Sequence, residues 1–231
     1  MSYWNGNIAR IVYGNNEIAK AYYGADVVFQ SNPYKPAEYI ETSGGAYLNT
    51  GIRQISRNFE YTIRLAWIGT DINAFESFFG YMAPSGVTPR SGFHKYTGKW
   101  MFGTNVTKIT GVTPDSNIHT IFVTGNASQN KETLFIDNSK ITDATTTSNG
   151  ISGNSITFFM GSRNRSGSVD NNCFARFYAL NYKFFGEAQH TTIILEKNLV
   201  PFLYEGVFGM YDTIAQEFLP SISGTQFNGK I

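Results

Sequence analysis

The feature that most limits the fold is a strict alternation of side-chain types over residues 59–67, the first nine positions of the run 59–68. Every second residue there is large and apolar, and the residues between are polar or small. Successive side chains of a β-strand point to opposite faces, so the run predicts a strand with one buried face. The apolar set is Phe59, Tyr61, Ile63, Leu65 and Trp67, and the intervening set is Glu60, Thr62, Arg64 and Ala66.

Further strand-like runs follow one another along the chain, with Gly, Asn, Ser and Thr between them and no convincing amphipathic helix after Ala37. Aromatic residues make up 16% of the chain, and they suit pleated, half-buried surfaces. The pattern predicts an all-β fold, a sandwich or a barrel, with polar loops at Thr142–Gly150 and Ser162–Asn172. The other candidate strands are Ala74–Met82, Lys99–Phe102, Asn117–Thr124, Thr133–Asp137, Ser155–Gly161, Cys173–Phe185, Thr192–Leu195 and Leu199–Tyr204.

A short repeat opens the chain. The stretch Ile8–Gly14 returns ten residues later as Ile18–Gly24, with the pattern Ile-Ala-basic-x-x-Tyr-Gly, and an apolar run follows at Val27–Phe29. Such short strands cannot bury a core alone, so residues 1–30 must pack on the main domain, on copies of the segment in an oligomer, or on another protein. The side chains expected to make this attachment are Ile8, Ile11, Tyr13, Ile18, Tyr22, Tyr23, Val27 and Phe29.

The predicted domain boundary lies at residues 31–36. Pro33 and Pro36 force extended backbone and remove hydrogen-bond donors, which is typical of a linker. Residues 37–231 then form one large β domain.

Charge and cysteine content exclude several classes of function. The formal net charge is +1 and no cluster of Lys and Arg occurs, which argues against nucleic acid or a membrane surface as a partner. Cys173 is the single cysteine, so no intrachain disulfide can form, and its apolar context predicts a small buried side chain.

Catalytic and metal-binding patterns are missing from the sequence. A retaining glycosidase needs two carboxylates about 5–5.5 Å apart, and the candidate pair Glu38 and Glu41 has an odd spacing that puts the two on opposite faces of a strand. The three histidines, His94, His119 and His190, have no partner at metal-ligand spacing. Asp170–Asn172 and Asp137–Asn138 offer oxygen ligands for calcium, but turn formation is the preferred interpretation of both. We therefore expect no enzyme, no metal and no cofactor.

The best candidate for a sugar site is the stretch Phe93–Trp100. A pyranose stacks its apolar face on an exposed aromatic ring while polar groups bind its hydroxyls. His94 and Tyr96 share a strand face, and Trp100 returns after the Thr97-Gly98 turn, although a place in the core explains Trp100 equally well. The predicted glycan-binding set is His94, Tyr96, Trp100, Tyr81, Arg163 and Asn171.

Three stretches in one order resemble the laminin-G-like, concanavalin A-like jelly-roll domains in structural proteins of tailed phages and prophages. Glu38–Gly51 is similar to the opening strand pair of that family, and Ile118–Arg163 to its central strands. The run from Leu199 through Gly209-Met210-Tyr211-Asp212 to Phe227 is similar to the closing pattern, with Gln226 in place of a usual Gly. The opening repeats resemble the "KIYLG" repeats of phage tail-associated proteins.

The resemblance implies an antiparallel two-sheet jelly roll and a place in a virion. It predicts a tail, fibre or head-fibre protein, assembled in the bacterial host cytoplasm. That protein would bind other virion proteins through its N-terminal segment, form a homo-oligomer such as a trimer, and display a domain for host-surface glycans. The alternative is a bacterial carbohydrate-binding module without catalytic activity. The third possibility, an enzyme, is disfavoured by the missing carboxylate pair.

Overall fold

The computed structural model describes residues 34–83, 90–105, 107–147, 155–186 and 192–231, together with strand segments 12–13, 16–17, 20–23 and 26–30. Every regular element in these ranges is a β-strand, and none of the described residues forms a helix that could cross a membrane. The strands are β1 (Val12–Tyr13), β2 (Asn16–Glu17), β3 (Lys20–Tyr23), β4 (Asp26–Gln30), β5 (Tyr34–Pro36), β6 (Tyr39–Ser43), β7 (Leu48–Arg53), β8 (Phe59–Trp67), β9 (Glu76–Met82), β10 (Arg90–Tyr96), β11 (Lys99–Thr104), β12 (Lys108–Ile109), β13 (His119–Asn126), β14 (Lys131–Ile136), β15 (Ser139–Thr145), β16 (Thr157–Met160), β17 (Arg163–Arg165), β18 (Ser168–Asp170), β19 (Phe174–Phe185), β20 (Ile193–Tyr204), β21 (Val207–Asp212), β22 (Glu217–Pro220) and β23 (Asn228–Lys230).

Two sheets form a sandwich. The larger sheet has the order β15-β14-β13-β8-β19-β20-β21-β22, with β6 paired to β19 and β23, and β5 paired to β20. The smaller sheet has the order β12-β11-β10-β9-β16-β7, and β17 joins β9 in parallel and carries β18. Apart from the β17–β9 contact, the pairing among the described strands is antiparallel. The predicted all-β, two-sheet antiparallel sandwich is therefore confirmed.

The alternating run at residues 59–68 forms the centre of the larger sheet. Phe59, Tyr61, Ile63 and Leu65 of β8 are between 0% and 2% exposed, whereas Arg64 on the opposite face is exposed. The strand pairs with β13 on one side and β19 on the other. The predicted half-buried strand is confirmed, and it is a central strand rather than an edge.

Aromatic rings join the two sheets. Phe79 and Phe158 of the smaller sheet stack with their centroids 4.4 Å apart, and Tyr61 and Tyr182 of the larger sheet stack at 5.5 Å. Tyr61 meets Phe79 edge-on at 5.6 Å across the sandwich. Such pairs stabilise the fold beyond the area they bury, by about 0.5–1.5 kcal/mol each.

The opening repeats contain two small hairpins. β1 pairs with β2 and β3 with β4, each as a separate two-stranded antiparallel sheet. β1 and β3 fall in the second half of each repeat, and β4 contains the third apolar run. Of the predicted attachment residues, Tyr13, Tyr22, Tyr23, Val27 and Phe29 lie on these strands, and Ile8, Ile11 and Ile18 lie outside the described residues. The attachment role stays a prediction.

Several segments differ from the sequence-based expectation, and the two predicted strands Thr192–Leu195 and Leu199–Tyr204 form one continuous strand, β20. Tyr34–Pro36 of the predicted linker form β5, which pairs on one side only, with β20; an edge strand tolerates the missing donor of Pro36. Residues 142–145 of the first predicted loop belong to β15. They were not predicted as a strand because β15 is an outer strand and its mostly polar side chains show no apolar alternation. The second predicted loop contains the hairpin β17–β18, whose short, polar strands have no apolar alternation to reveal them.

Candidate functional site

A β-bulge between β9 and β10 decides which side chains face away from the core. Phe93 pairs with Phe79 but the next residue, His94, pairs with Ser77, so Phe78 is the extra residue. Phe78 and Phe79 are consequently both buried in the core (0%). The bulge shifts the alternation of β9, so that Ser77 faces outward. Ser77 thereby meets His94, which lies on the outer face of the smaller sheet through the regular alternation of β10.

Three glycines lie side by side on that outer face. Gly92 of β10 pairs with Gly80 of β9 on one side and with Gly103 of β11 on the other. A Cβ atom added at Gly80 or at Gly92 would lie 2.8 Å from Cε1 of His94, closer than real Cβ contacts allow. The glycine row therefore leaves room for the imidazole to lie against the sheet, in a depression where His94 is almost fully buried (3% exposed).

A cavity of about 190 Å³ occupies this depression. It is smaller than the pockets of roughly 300–1,000 Å³ that enclose a drug-sized ligand, so it suits the end of a longer molecule. Aromatic, cationic and small side chains line it, and none of its lining residues is Asp or Glu within the described part of the chain. The lining residues are Phe75, Tyr81, Arg90, Ser91, His94, Tyr96, Met101, Gly103, Thr107 and Arg163.

Phe75 is the centre of a group of stacked side chains in the cavity. Its ring stacks on His94 with centroids 5.5 Å apart and meets Tyr96 edge-on at 5.7 Å. The guanidinium of Arg163 lies over the same ring, 4.9 Å from the centroid. Tyr96 is 42% exposed and so presents an aromatic surface to solvent.

The charges of the cavity are positive. Arg163 Nη2 lies 2.6 Å from Asp170 Oδ2, and Arg90 Nε donates to the backbone oxygen of Asn105 at 3.2 Å. Burial lowers the pKa of His94 well below its usual value, and the charges of Arg163 and Arg90 lower it further. His94 is therefore neutral near pH 7, and its Nδ1 is 2.9 Å from Ser77 Oγ.

A buried lysine fixes the loop that carries Phe75. Lys95 Nζ donates to three carbonyl oxygens in residues 71–74, at 2.7, 3.1 and 2.7 Å, and forms a 3.1 Å ion pair with Glu76 Oε1. Glu76 also accepts hydrogen bonds from the indole nitrogen of Trp67 at 3.1 and 3.2 Å. This satisfied network holds the chain on both sides of Phe75 and so sets the position of its ring.

Four of the six residues predicted from the sequence line one cavity: Tyr81, His94, Tyr96 and Arg163. His94 and Tyr96 do share a strand face, as expected. Tyr81 borders the cavity without offering a stacking surface, because its side chain is fully buried (0%) and its hydroxyl donates to Gln54 Oε1 at 3.0 Å. Whether these residues bind a glycan stays a prediction.

The other two predicted residues lie elsewhere. Trp100 is fully buried (0%), with its ring against Phe78 and Phe93 at centroid distances of 5.2 and 5.1 Å. The expectation of an exposed platform at Trp100 is therefore corrected: it is a core residue. Asn171 is not part of the cavity lining; it adopts a φ of 57° in a turn, and its carbonyl accepts a hydrogen bond from the Ser77 amide at 2.9 Å.

Sequence reasoning missed Phe75, Arg90 and Met101. Arg90 precedes His94 by four residues on one strand, so period two alone places both on the same face. Met101 pairs with His94 across the β10–β11 hairpin and could have been found from the turn register. Phe75 precedes β9 in a loop, where no periodicity applies.

A second aromatic surface lies at the far end of the larger sheet. Tyr34 of β5 stacks on Tyr204 of β20 with centroids 4.5 Å apart, and Phe218 lies 5.4 Å from Tyr204. These rings border an open cavity of about 580 Å³, together with Glu205 and Glu217. The aromatic rings of this surface therefore lie beside carboxylates, whereas those of the first cavity lie beside arginines.

Metal-binding geometry is not found in the part of the chain that the structure describes. No group of three or more His, Cys, Asp or Glu side chains there could hold an ion. His119 lies between two single carboxylates instead, with Nε2 2.9 Å from Asp115 and Nδ1 2.7 Å from Asp137.

Comparison of the sequence with known proteins gives no relative: no protein-family model matches the chain, and no curated protein matches it. The fold does have solved counterparts. A structure from Bacteroides ovatus, described as a candidate carbohydrate-binding protein, matches with a TM-score of 0.59 and 9% identity over 85% of this chain. The chain spans only 61% of the length of that protein. A carbohydrate-binding module, CBM40, of a Ruminococcus gnavus sialidase, bound to α2,3-sialyllactose, matches with a TM-score of 0.50 and 14% identity over 67% of this chain and 94% of the module. At these identities the matches establish the jelly-roll fold alone.

Proposed function

We propose that the sandwich is a carbohydrate-binding module without catalytic activity, and that it binds glycans in the cavity on the outer face of the smaller sheet. The observation that carries the proposal is the meeting of the exposed ring of Tyr96 and the half-buried ring of Phe75 with the donors of Arg90 and Arg163, beside a row of glycines. An aromatic surface takes the apolar face of a sugar ring, and convergent donors take its oxygens. The fold of two proteins described as carbohydrate-binding supports this choice.

The lining of the cavity favours binding over hydrolysis. Glycoside hydrolysis uses a pair of carboxylates, and no Asp or Glu lines the cavity among the described residues. The pair considered from the sequence is engaged elsewhere: Glu38 forms an ion pair with Lys230, and Glu41 one with Arg176.

Binding to an array of glycans, followed by calorimetry on the full chain, tests the proposal. Tyr96→Ala should weaken the binding of a retained glycan roughly three- to tenfold, which corresponds to the loss of one ring contact. Tyr204→Ala removes a partly exposed ring from the second aromatic surface and should leave the affinity unchanged. Absence of binding to every glycan would reject the function, and a loss caused only by Tyr204→Ala would move the site to the larger sheet.

Display of the domain on a virion remains a separate proposal, since the structural matches give it no support. It requires that residues 1–30 mediate assembly. Val27→Asp combined with Phe29→Asp in the full chain should then lower the oligomer mass measured by light scattering, while glycan binding by the sandwich persists. An unchanged mass would argue against attachment through this segment.

A further inference from the structure

The charges around the cavity narrow the class of ligand. Arg90 and Arg163 line it, and no carboxylate does in the described ranges. A guanidinium binds a carboxylate through paired hydrogen bonds, and charge-assisted hydrogen bonds are about twice as strong as neutral ones. We propose, on the basis of the carbohydrate-binding function above, that the cavity takes an acidic glycan and that Arg90 binds the sugar carboxylate.

Arg90 and Arg163 have different surroundings. Arg163 is held on three sides: Nη2 by Asp170, its flat face by Phe75, and its backbone by pairing with Gly80. Its Nε is buried and has no hydrogen-bond partner within the described part of the chain. Asp170 offsets much of its charge, so Arg163 acts as a fixed donor beside the ligand.

Arg90 retains its charge for a ligand. Its backbone amide donates to Asn105 Oδ1 at 3.1 Å and its Nε to the Asn105 carbonyl at 3.2 Å, so Asn105 holds both ends of the residue. No carboxylate forms an ion pair with Arg90 in the ranges described. The contact through Nε holds the guanidinium near its position before any ligand arrives, which reduces the ordering that binding costs.

His94 separates the two arginines without adding a charge. Its ring lies on the glycine row and stacks on Phe75, and its Nδ1 contacts Ser77, while Nε2 makes no hydrogen bond with the described residues. A neutral imidazole nitrogen can accept from or donate to a sugar hydroxyl. The arrangement therefore offers one stacking surface at Tyr96, one neutral polar contact at His94 and one cationic contact at Arg90, which matches a sugar ring bearing a carboxylate.

The second aromatic surface provides an internal contrast. Tyr34 and Tyr204 are also stacked, and Phe218 lies tilted beside them, but these partly exposed rings border Glu205 and Glu217. Carboxylates at this surface would repel an acidic sugar. The presence of exposed rings therefore does not distinguish the two surfaces. The sign of the charge on the neighbouring side chains does distinguish them.

Titration calorimetry of the full chain with matched ligand pairs tests the inference. The pairs are 3′-sialyllactose against lactose, and an oligogalacturonide against its carboxyl-reduced, neutral counterpart. The acidic member of at least one pair should bind about 10- to 100-fold more tightly, the range expected for hydrogen bonds to a charged group. Inorganic sulfate at equal ionic strength should not compete strongly, which separates a sugar site from a general anion site.

Substitutions of the two arginines test which of them binds the sugar carboxylate. Arg90→Gln should remove the preference for the acidic member and leave the weak affinity for the neutral member in place, and Arg163→Gln should weaken both. Arg64→Gln is the matched control, because its guanidinium also lies over an aromatic ring, 5.4 Å from the Tyr178 centroid, but on the larger sheet. Circular dichroism and the thermal midpoint would establish that each variant is folded.

The outcomes separate the two proposals. Selective binding of the acidic members that Arg90→Gln abolishes supports the inference. Equal binding of neutral and acidic members, with loss on Tyr96→Ala, overturns the inference and keeps the carbohydrate-binding function. Absence of binding to every ligand overturns both.

Discussion

Replacement of Lys95 by Met tests how the cavity is held in shape. The Lys95 side chain has no exposed area (0%), and its Nζ donates to the carbonyl oxygens of Asp71, Ile72 and Ala74 and pairs with Glu76. Met fills much of the same volume but supplies no donor. The Glu76 carboxylate would stay buried without its counter-charge, and removal of one partner of a buried ion pair costs about 3–5 kcal/mol. We expect a loss of this size in the free energy of unfolding.

Chemical denaturation of Lys95→Met, Glu76→Gln and the double variant measures the effect. The double variant removes both charges, so it should be less destabilised than the sum of the single variants, with a coupling energy of about 1–3 kcal/mol. Lys95→Met should also weaken glycan binding, because the loop that carries Phe75 loses its anchor. A loss below about 1 kcal/mol, or strictly additive variants, would refute the argument that this network holds the loop.

Three further predictions concern buried groups. Burial raises the pKa of Glu132 from 4.5 to about 7, so the unfolded chain loses this proton at a lower pH than the folded chain. The free energy of unfolding should therefore fall by roughly 3 kcal/mol as the pH rises from about 4.5 to above 7. Glu132→Gln should flatten this pH dependence in denaturation curves measured at several pH values. Burial raises the pKa of the Cys173 thiol well above its usual value, so a thiol reagent should modify it only after the addition of urea. Trp100→Ala should lower the free energy of unfolding by about 3–5 kcal/mol, measured by the same denaturation, since the ring is in the core.

Several strands with one buried face were readable from the sequence. β8 is the clearest case, because a central strand against a core needs a regular period of two. β15 and the hairpin β17–β18 were missed because they are outer or short strands whose mostly polar side chains leave no alternation to detect. β5 was missed because the prolines at 33 and 36 are typical of a linker. Their hydrogen-bond partners show that they are strands: β5 pairs with the distant β20, whereas β15 and β18 pair with the neighbouring strands β14 and β17.

The misplacement of Trp100 has a specific cause in the turn. Thr97 and Gly98 have φ values of 47° and 71°, and they form a two-residue hairpin in which Tyr96 pairs with Lys99 and Lys95 with Trp100. Trp100 therefore shares the inward face with Lys95. The sequence allowed a core position for Trp100 as well as an exposed one, and nothing local identifies Glu76, on another strand, as the buried partner of Lys95.

The two faces of the β10–β11 hairpin have different roles, one in the stability of the fold and the other in ligand binding. Inward residues of this hairpin hold the sandwich together, whereas outward residues line the cavity and carry its positive charge. Inward and outward side chains lie on the same two strands but in different surroundings. Substitution of an inward residue should therefore change the free energy of unfolding, and substitution of an outward residue should change the affinity for the ligand. Lys95 is the one expected exception, because it acts on the cavity from the inward face through the loop before β9. The inward set is Phe93, Lys95, Trp100 and Phe102, and the outward set is Arg90, His94, Tyr96 and Met101.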